Sequence, residues 1–108
     1  MSEDLTPLER KCLELTAAEH WPGVRLDGIR ATSREHTGVG RFTYLEDLNH
    51  QVLPDGLFET AERAIQMEGL RLGLDFAVAV TSSRLDNLEL VTPGDDGWDG
   101  VERPWSVL

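Results

Sequence analysis

The sequence is poor in cysteine, in basic residues and in long apolar runs, and each shortage excludes a class of protein. Cys12 is the only cysteine among 108 residues, so no disulfide can form within the chain. The longest strongly apolar stretch, at residues 76–80, is far shorter than the about 20 residues that a membrane-spanning helix needs. No segment has the layout of a signal peptide. We therefore expect a cytoplasmic protein without a membrane span.

Basic residues are scarce, because ten lysines and arginines stand against twenty aspartates and glutamates, for a formal net charge of −10. The excess is uneven: residues 1–42 carry seven acids and six bases, whereas residues 43–108 carry thirteen acids and four bases. Nucleic acids and anionic lipids bind through cationic side chains, so this balance argues against both as partners. It favours a basic protein partner, although such a charge can also serve only to keep a small domain soluble.

Metal-binding and phosphate-binding signatures are also missing. His20, His36 and His50 lie in different segments, and none has a second ligand at the spacing that a helical zinc site requires. The glycines of Gly38-Val39-Gly40 are followed by a strand-forming run and by no lysine, which predicts a turn or bulge and not a phosphate loop. We expect neither a metal nor a cofactor.

Carboxylates are the remaining candidates for catalysis. The pairs at 46/47 and 95/96, together with Asp99, could supply a general acid and base. Nothing in the surrounding sequence forces one of them into an apolar pocket that would raise its pKa. We therefore expect a protein that is not an enzyme.

The length and composition fit one globular α+β domain spanning residues 1–108, with 40% hydrophobic and 28% charged residues. Thr6-Pro7 predicts the start of a helix, and Trp21-Pro22-Gly23 predicts its end. Apolar residues recur at spacings of three and four and predict a buried stripe: Leu5, Leu8, Cys12 and Leu15. Cys12 is thus predicted to be a small buried hydrophobe. The charged residues Glu9, Arg10, Lys11 and Glu14 are predicted to face solvent.

The rest of the chain has the period of β-strands. Val24 and Leu26 alternate in one phase, and the residues after Gly28 alternate in the other, which predicts a bulge at that glycine. Residues 41–45 predict the second strand of this hairpin, and residues 74–80 and 88–91 predict another hairpin. Residues 57–68 fit either a helix or a strand. We predict an N-terminal helix packed on an antiparallel sheet of four or five strands.

The acidic C-terminal segment is the strongest candidate for binding a partner. It combines two tryptophans with a charged surround, a mixture that is typical of protein interfaces. The predicted contact residues are Asp95, Asp96, Trp98, Asp99, Glu102 and Trp105. The alternative is that both tryptophans pack against an open side of the sheet.

A second candidate is the cluster Ser33-Arg34-Glu35, which could recognise a ligand or form a structural ion pair across the hairpin. Arg34 points to the opposite side of a strand from Ser33 and Glu35. In the ligand-binding or enzymatic alternative, Arg34 would hold an anion with help from Thr37.

The stretch at 31–43 resembles a recurrent element in a family of small bacterial proteins without a characterised activity. The shared pattern is Ser-Arg-Glu-x-Thr-Gly-Val-Gly-x-aromatic-Thr, which here comprises Ser33, Arg34, Glu35, Thr37, Gly38, Gly40, Phe42 and Thr43. Residues 69–76 and 84–89 are similar to that family's second half, and this likeness favours a strand at 57–68. Arg41 departs from the pattern, because it stands where the family often has a second aromatic residue, and Asp75 replaces a small residue.

The resemblance implies no enzymatic activity. In size, acidity and simplicity, proteins of this kind are similar to immunity proteins, which block a cognate bacterial toxin. We therefore expect a non-catalytic binding domain whose acidic surface covers a basic toxin domain.

Overall fold

The computed structural model describes residues 2–60, 64–94 and 97–108, in which one helix and seven strands form an α+β domain. The elements are α1 (Pro7–His20), β1 (Ile29–His36), β2 (Gly40–Asp47), β3 (Gly56–Glu59), β4 (Ile65–Met67), β5 (Leu70–Thr81), β6 (Arg84–Val91) and β7 (Trp105–Val107). The predicted fold class is therefore correct in outline. The predicted four or five strands are too few.

The additional strands come from the two segments that were hardest to interpret. Residues 57–68 supply β3 and β4, which pair antiparallel with successive parts of the long strand β5. The favoured strand prediction therefore holds at 56–59 and 65–67, and residues 61–63 lie outside the described chain. The C-terminal segment adds β7, which pairs with β4. Strands of three or four residues are too short to give a readable alternation.

The strand order β1-β2-β6-β5-β4-β7, with β3 beside β5, places the two predicted hairpins side by side, with β1 at one edge of the sheet. β1 and β2 form the first hairpin, and β5 and β6 form the second. Ser82 and Ser83 turn the second hairpin with positive φ angles of 52° and 64°. Positive φ angles at both central residues are typical of a type I′ turn, whose twist matches that of the flanking strands.

The predicted strand at Val24 and Leu26 is wrong, as is the predicted bulge at Gly28. β1 begins only at Ile29, and the register shift lies between Ala31 and Ser33. Gly28 instead lies against Asn49, whose side-chain amide would have to move to admit a Cβ atom. The change of phase in the sequence is therefore real, but it lies a few residues further along the chain.

Helix α1 begins and ends as predicted, at the Thr6 N-cap and at Trp21. Its buried side includes Leu8, Cys12 and Leu13 and packs against the sheet in one core cluster. Near its C-terminus, His20 contacts the Glu59 carbonyl oxygen through Nε2 at 2.7 Å, and Trp21 packs edge-on against Phe58. The helix thus reaches across the sheet from the first hairpin to β3. Helix α1, the one helix in the described parts of the chain, is not long and apolar enough to cross a membrane.

The sheet has two different sides. The covered side faces α1 and carries the apolar core residues of the central strands, including Leu45, Val78, Leu88 and Leu90. The opposite side, here called the open face, carries the alternate residues of the same strands. Its two central rows follow from the strand register: Glu35, Phe42, Glu89, Ala77 and Glu59 in one, and Ser33, Tyr44, Asn87, Ala79 and Leu57 in the other.

Candidate functional site

A buried polar cluster joins α1 to the first hairpin on the covered side of the sheet. Its centre is the Glu9 carboxylate, which is fully buried and accepts five hydrogen bonds. Arg34 donates two of them, from Nε at 2.9 Å and Nη2 at 2.7 Å. Arg41 Nη2 donates at 2.9 Å, Thr43 Oγ1 at 2.6 Å and the Thr6 backbone N–H at 2.9 Å. A carboxylate with this many donors is held rigidly.

The cluster keeps Glu9 ionised despite its burial. Burial by itself raises the pKa of a carboxyl group, but hydrogen bonds from Arg34, Thr43 and Thr6 and the charge of Arg41 outweigh it. The pKa of Glu9 falls from its ordinary value of 4.5 to about 2. Such a depressed value is typical of a structural ion pair and not of a general acid, which needs a pKa near the working pH.

Two sequence predictions about this cluster are wrong. Glu9 does not face solvent, and Arg34 does not form an ion pair across the hairpin, because its partner there is Thr43 and the helix supplies Glu9 instead. Two signals could have indicated the burial of Glu9. It stands four residues after Leu5 and three before Cys12, and Thr6-x-x-Glu9 is a capping box.

Arg34 is fully engaged within the fold, which bears on the ligand-binding alternative. Besides Glu9, its guanidinium contacts the Glu3 carboxylate through Nη1 at 3.0 Å. Ser33 and Glu35 lie on the open face, as the strand alternation predicts. The three side chains of the Ser-Arg-Glu cluster therefore do not meet at one site.

The glycines of the motif support the C-terminal segment. The Gly38 carbonyl accepts the Trp98 backbone N–H at 3.0 Å, and the Val39 carbonyl accepts the Thr92 N–H at 2.9 Å. At Gly40, a Cβ atom would collide with the backbone of Leu90. The predicted turn at 37–40 is confirmed. Its backbone carbonyls also accept hydrogen bonds from the chain that follows β6.

The C-terminal segment makes internal contacts instead of presenting an exposed aromatic surface. Trp98 is only 3% exposed, and its indole N–H donates to the Val101 carbonyl at 2.9 Å. The Arg41 guanidinium lies 5.3 Å from the centre of the Trp98 ring. Trp105 is half-buried in β7. The alternative in which the tryptophans pack on the fold therefore describes Trp98 and, in part, Trp105.

The acidic residues predicted beside these tryptophans are also used internally. Glu102 Oε2 accepts from Arg41 Nη2 at 2.7 Å. The Asp99 carboxylate accepts hydrogen bonds from both terminal nitrogens of Arg103 and from the Val101 backbone N–H. These hydrogen bonds lower the pKa of Asp99. Asp95 and Asp96 lie outside the described residues. The described acids of this segment make contacts within the fold, and a role of the segment in binding a partner stays a prediction.

The open face is the candidate surface. Its first central row contains Glu35, Glu89 and Glu59, and neither central row contains a lysine or arginine. Phe42 and Tyr44 stack at its middle, with ring centres 6.3 Å apart and planes 20° from parallel. Leu57, at its edge, is 61% exposed. Aromatic and aliphatic side chains ringed by charge have the composition of a protein interface.

The charge of the open face also acts on Tyr44. The negative charge of Glu35, whose Oε2 lies 3.4 Å from the Tyr44 hydroxyl oxygen, raises the pKa of the phenol, and Asp86 adds to this effect. A phenol that is harder to ionise reports a locally negative potential. The sequence could not locate this surface, because its residues come from five strands.

The remaining residues that could act in catalysis or bind a metal are not brought together at one site in the described parts of the chain. Within residues 2–60, 64–94 and 97–108, no three His, Cys, Asp or Glu side chains could hold a metal ion together. Cys12 is buried, as predicted, and burial, with the nearby charges of Glu102 and Glu9, raises the pKa of its thiol to about 12. Asp47 accepts backbone and side-chain N–H groups of Asn49 and Gln51 and shapes the following loop.

Comparison with known proteins finds no matching family model, no similar curated protein and no similar solved structure. The resemblance to the family of small bacterial proteins therefore stays a prediction.

Proposed function

We propose that this protein is a non-catalytic binding domain, most concretely an immunity-type inhibitor that acts in the cytoplasm and neutralises a basic toxin domain. The observation that carries the proposal is the open face, where stacked Phe42 and Tyr44 lie among carboxylates that have no basic neighbour in the two central rows. This arrangement offers an apolar centre for tight contact and a charged surround for attraction.

Electrostatics favours a basic protein over other occupants. A second copy of the chain would bring its own glutamates against this face and be repelled. Nucleic acid and anionic lipid would be repelled for the same reason. Complementary charge can raise association rates to ~10⁸–10⁹ M⁻¹s⁻¹ at low salt, which suits an inhibitor that must act before its target does.

The alternative, a small-ligand binder or enzyme that uses Ser33, Arg34 and Glu35, has less support. It needs a guanidinium that is free to hold an anion, and Arg34 already donates to Glu9 and Glu3.

Charge reversal at matched positions tests the proposal. Glu35→Lys lies on the open face and Glu14→Lys on the solvent side of α1, and both change the net charge equally. We expect tagged wild type and Glu14→Lys to retain the same basic protein from cells of the source organism at low salt, and Glu35→Lys to lose it. The purified protein should also suppress the activity of what it retains. Equal retention by both variants would contradict the proposal.

A further inference from the structure

Strand β1 forms one edge of the sheet, because within the described residues β2 is the only strand that pairs with it. It has eight residues, whereas β7, at the other end of the strand order, has three. The second half of β1 is exposed at Ser33, Glu35 and His36. An exposed edge strand carries unpaired N–H and C=O groups, which can template a strand of another chain.

The hydrogen bonds of the first hairpin determine which of these groups are free. The Thr37 N–H donates to the Gly40 carbonyl at 3.0 Å, so the backbone of Thr37 faces β2. Hydrogen-bonded and non-hydrogen-bonded pairs alternate along an antiparallel ladder, so Glu35 also bonds to β2. Arg34 and His36 therefore direct their N–H and C=O groups away from the sheet. Among residues 2–60, 64–94 and 97–108, no other segment bonds to these outward groups.

The chain itself pairs with the outer edge of β1 just before this free part. Glu3 lies antiparallel to Ala31; its N–H donates to the Ala31 carbonyl at 2.7 Å, and its carbonyl accepts the Ala31 N–H at 2.9 Å. The register shift of β1 lies between Ala31 and Ser33, so the strand is regular from Ser33 to His36. That stretch contains no proline and no lysine, two residues that often protect an edge from pairing. The edge is thus suited to an added antiparallel strand.

The side chains beside the free groups favour a basic strand. On the open face, Glu35 contacts the Tyr44 hydroxyl group and forms no ion pair within the described residues. On the covered side, the charge of Arg34 is already met by Glu9 and Glu3. A lysine or arginine opposite Glu35 would gain a counter-charge on its own side of the sheet.

We propose that an extended segment of the basic partner adds to the outer edge of β1, antiparallel to it and with a lysine or arginine opposite Glu35. The residues on either side of this cation bond through their backbone to Arg34 and His36. In this mode of recognition the main-chain hydrogen bonds give affinity and the alternate side chains give specificity. The inference rests on the proposed function and names the form in which the partner binds.

The edge can be tested without the partner. The probe is the peptide acetyl-Val-Thr-Lys-Thr-Val-amide, titrated into ¹⁵N-labelled protein. We expect a dissociation constant in the millimolar range, shifted amide resonances of Arg34 and His36, and slower hydrogen exchange of both amides. The Glu35 amide, which bonds to β2, should be protected with and without the peptide. Absence of binding, or shifts confined to residues away from β1, would overturn the inference.

N-methylated peptides separate strand pairing from less specific adhesion. In the proposed register the N–H groups of both threonines face β1, and that of the lysine faces away. Methylation of both threonine nitrogens should abolish measurable binding, whereas methylation of the lysine nitrogen should weaken it by less than about twofold. Equal binding of the two methylated peptides would overturn the inference.

A charge swap tests the position of the cation. Wild type should bind the lysine peptide more tightly than its counterpart with glutamate at the centre, and Glu35→Lys should reverse this preference. Glu14→Lys, on the solvent side of α1, makes the same change of net charge and should keep the wild-type preference. The same preference in Glu35→Lys as in Glu14→Lys would contradict the placement of the cation opposite Glu35.

Two substitutions at one position test the edge in the complex. His36→Pro and His36→Ala both remove the imidazole, which lies beside Gly100, but only proline also removes the outward N–H. We expect His36→Pro to bind the retained basic protein about tenfold more weakly than His36→Ala does. Equal binding by the two variants would overturn the inference. Urea unfolding shows whether the proline variant is folded, and if it is not, the methylated peptides decide.

The N-terminal segment of the chain itself is the main rival occupant, since Glu3 already lies on this edge and Met1 lies outside the described residues. Hydrogen exchange of the protein alone distinguishes the two. We expect the amides of Arg34 and His36 to exchange much faster than that of Glu35. Equal protection of all three amides without the peptide would show that the edge is already covered, and would overturn the inference.

The outcome is independent of the test of the proposed function. If the lysine peptide pairs with β1 but no basic protein is retained, the edge stands as a binding site and the inhibitor role falls. If a basic protein is retained equally by His36→Pro and His36→Ala but lost in Glu35→Lys, the open face stands and strand addition at β1 falls.

Discussion

Glu9 is the residue on which the joint between the helix and the first hairpin depends. Its carboxylate caps the start of α1 through the Thr6 backbone N–H and accepts from Arg34, Arg41 and Thr43 on two strands. A buried charge of this kind adds little net stability when it is complete, but removing one partner leaves the others uncompensated. The most sensitive test of the joint is therefore a single substitution at Glu9.

We predict that Glu9→Gln lowers the free energy of unfolding by about 3–5 kcal/mol, because two buried or partly buried guanidinium groups lose the buried carboxylate that they share. Urea unfolding followed by circular dichroism measures the change. Glu14→Gln removes an exposed helix glutamate that lies 3.9 Å from Lys11, and it should change the stability by less than about 0.5 kcal/mol. Similar effects of the two substitutions would show that the Glu9 cluster is not formed.

The same carboxylate should make stability depend on acid pH. The pKa of Glu9 is about 2 in the folded protein and has its ordinary value of 4.5 when the chain unfolds. Between these values the unfolded state binds more protons, so the contribution of Glu9 is present above pH 4.5 and is lost as the pH falls towards 2. The difference in unfolding free energy between wild type and Glu9→Gln should shrink across this window. A difference that stays constant from pH 7 to about 2.5 would contradict the assignment.

Single residues were predictable from the sequence where local chemistry decides them. Thr6 and Pro7 start the helix as predicted, and Cys12 is buried as predicted. The burial of Glu9 was missed because it depends on Arg34 and Arg41, which are far away in sequence and close only after the sheet has formed. The spacing of a charged residue among apolar residues therefore predicts its burial only when the residues that pair with its charge are also known.

At the scale of elements, the C-terminal segment is an integral part of the fold. It is attached to the first hairpin by Trp98, Gly100 and Glu102, and to β4 by β7. Its tryptophans and acids give it the composition of an interface, and the sequence alone cannot distinguish a partner in another protein from a partner in the same chain.

We predict that Trp98→Ala lowers the free energy of unfolding by about 3–5 kcal/mol, because it empties a buried site and removes the ring beside Arg41. Trp105→Ala should cost less, since the Trp105 side chain is only half-buried. Thermal and urea unfolding of both variants measure these effects. If Trp98→Ala is as stable as wild type, the packed position of this ring is wrong.

The predictability of the elements follows their length. The helix and the two hairpins were predicted in outline from periodicity, since the helix and each of their strands extend over at least eight residues, although the start of β1 was misplaced. β3, β4 and β7 have three or four residues each, so their pairing with long neighbours, and not their own alternation, determines them. The open face could not be predicted for a related reason. Its residues come from five strands, so they can be placed side by side only when the order of the strands is known.

For the whole molecule, the two sides of the sheet differ in how their charges are paired. On the covered side, acids and arginines are paired around Glu9. On the open face, the glutamates of the central rows have no basic neighbour in those rows. Charge that served only for solubility would have no reason to surround a pair of stacked aromatic rings. This asymmetry supports a binding role for the open face.

The most direct test of that role is the association rate with the retained basic partner, measured as a function of salt for wild type, Glu35→Lys and Glu14→Lys. We predict a wild-type rate that falls steeply between low and physiological salt, because exposed charges are screened beyond about 8 Å at 0.15 M. Glu35→Lys should associate at least tenfold more slowly than Glu14→Lys at low salt. A rate that is insensitive to salt and equal in the two variants would contradict a binding role for the open face.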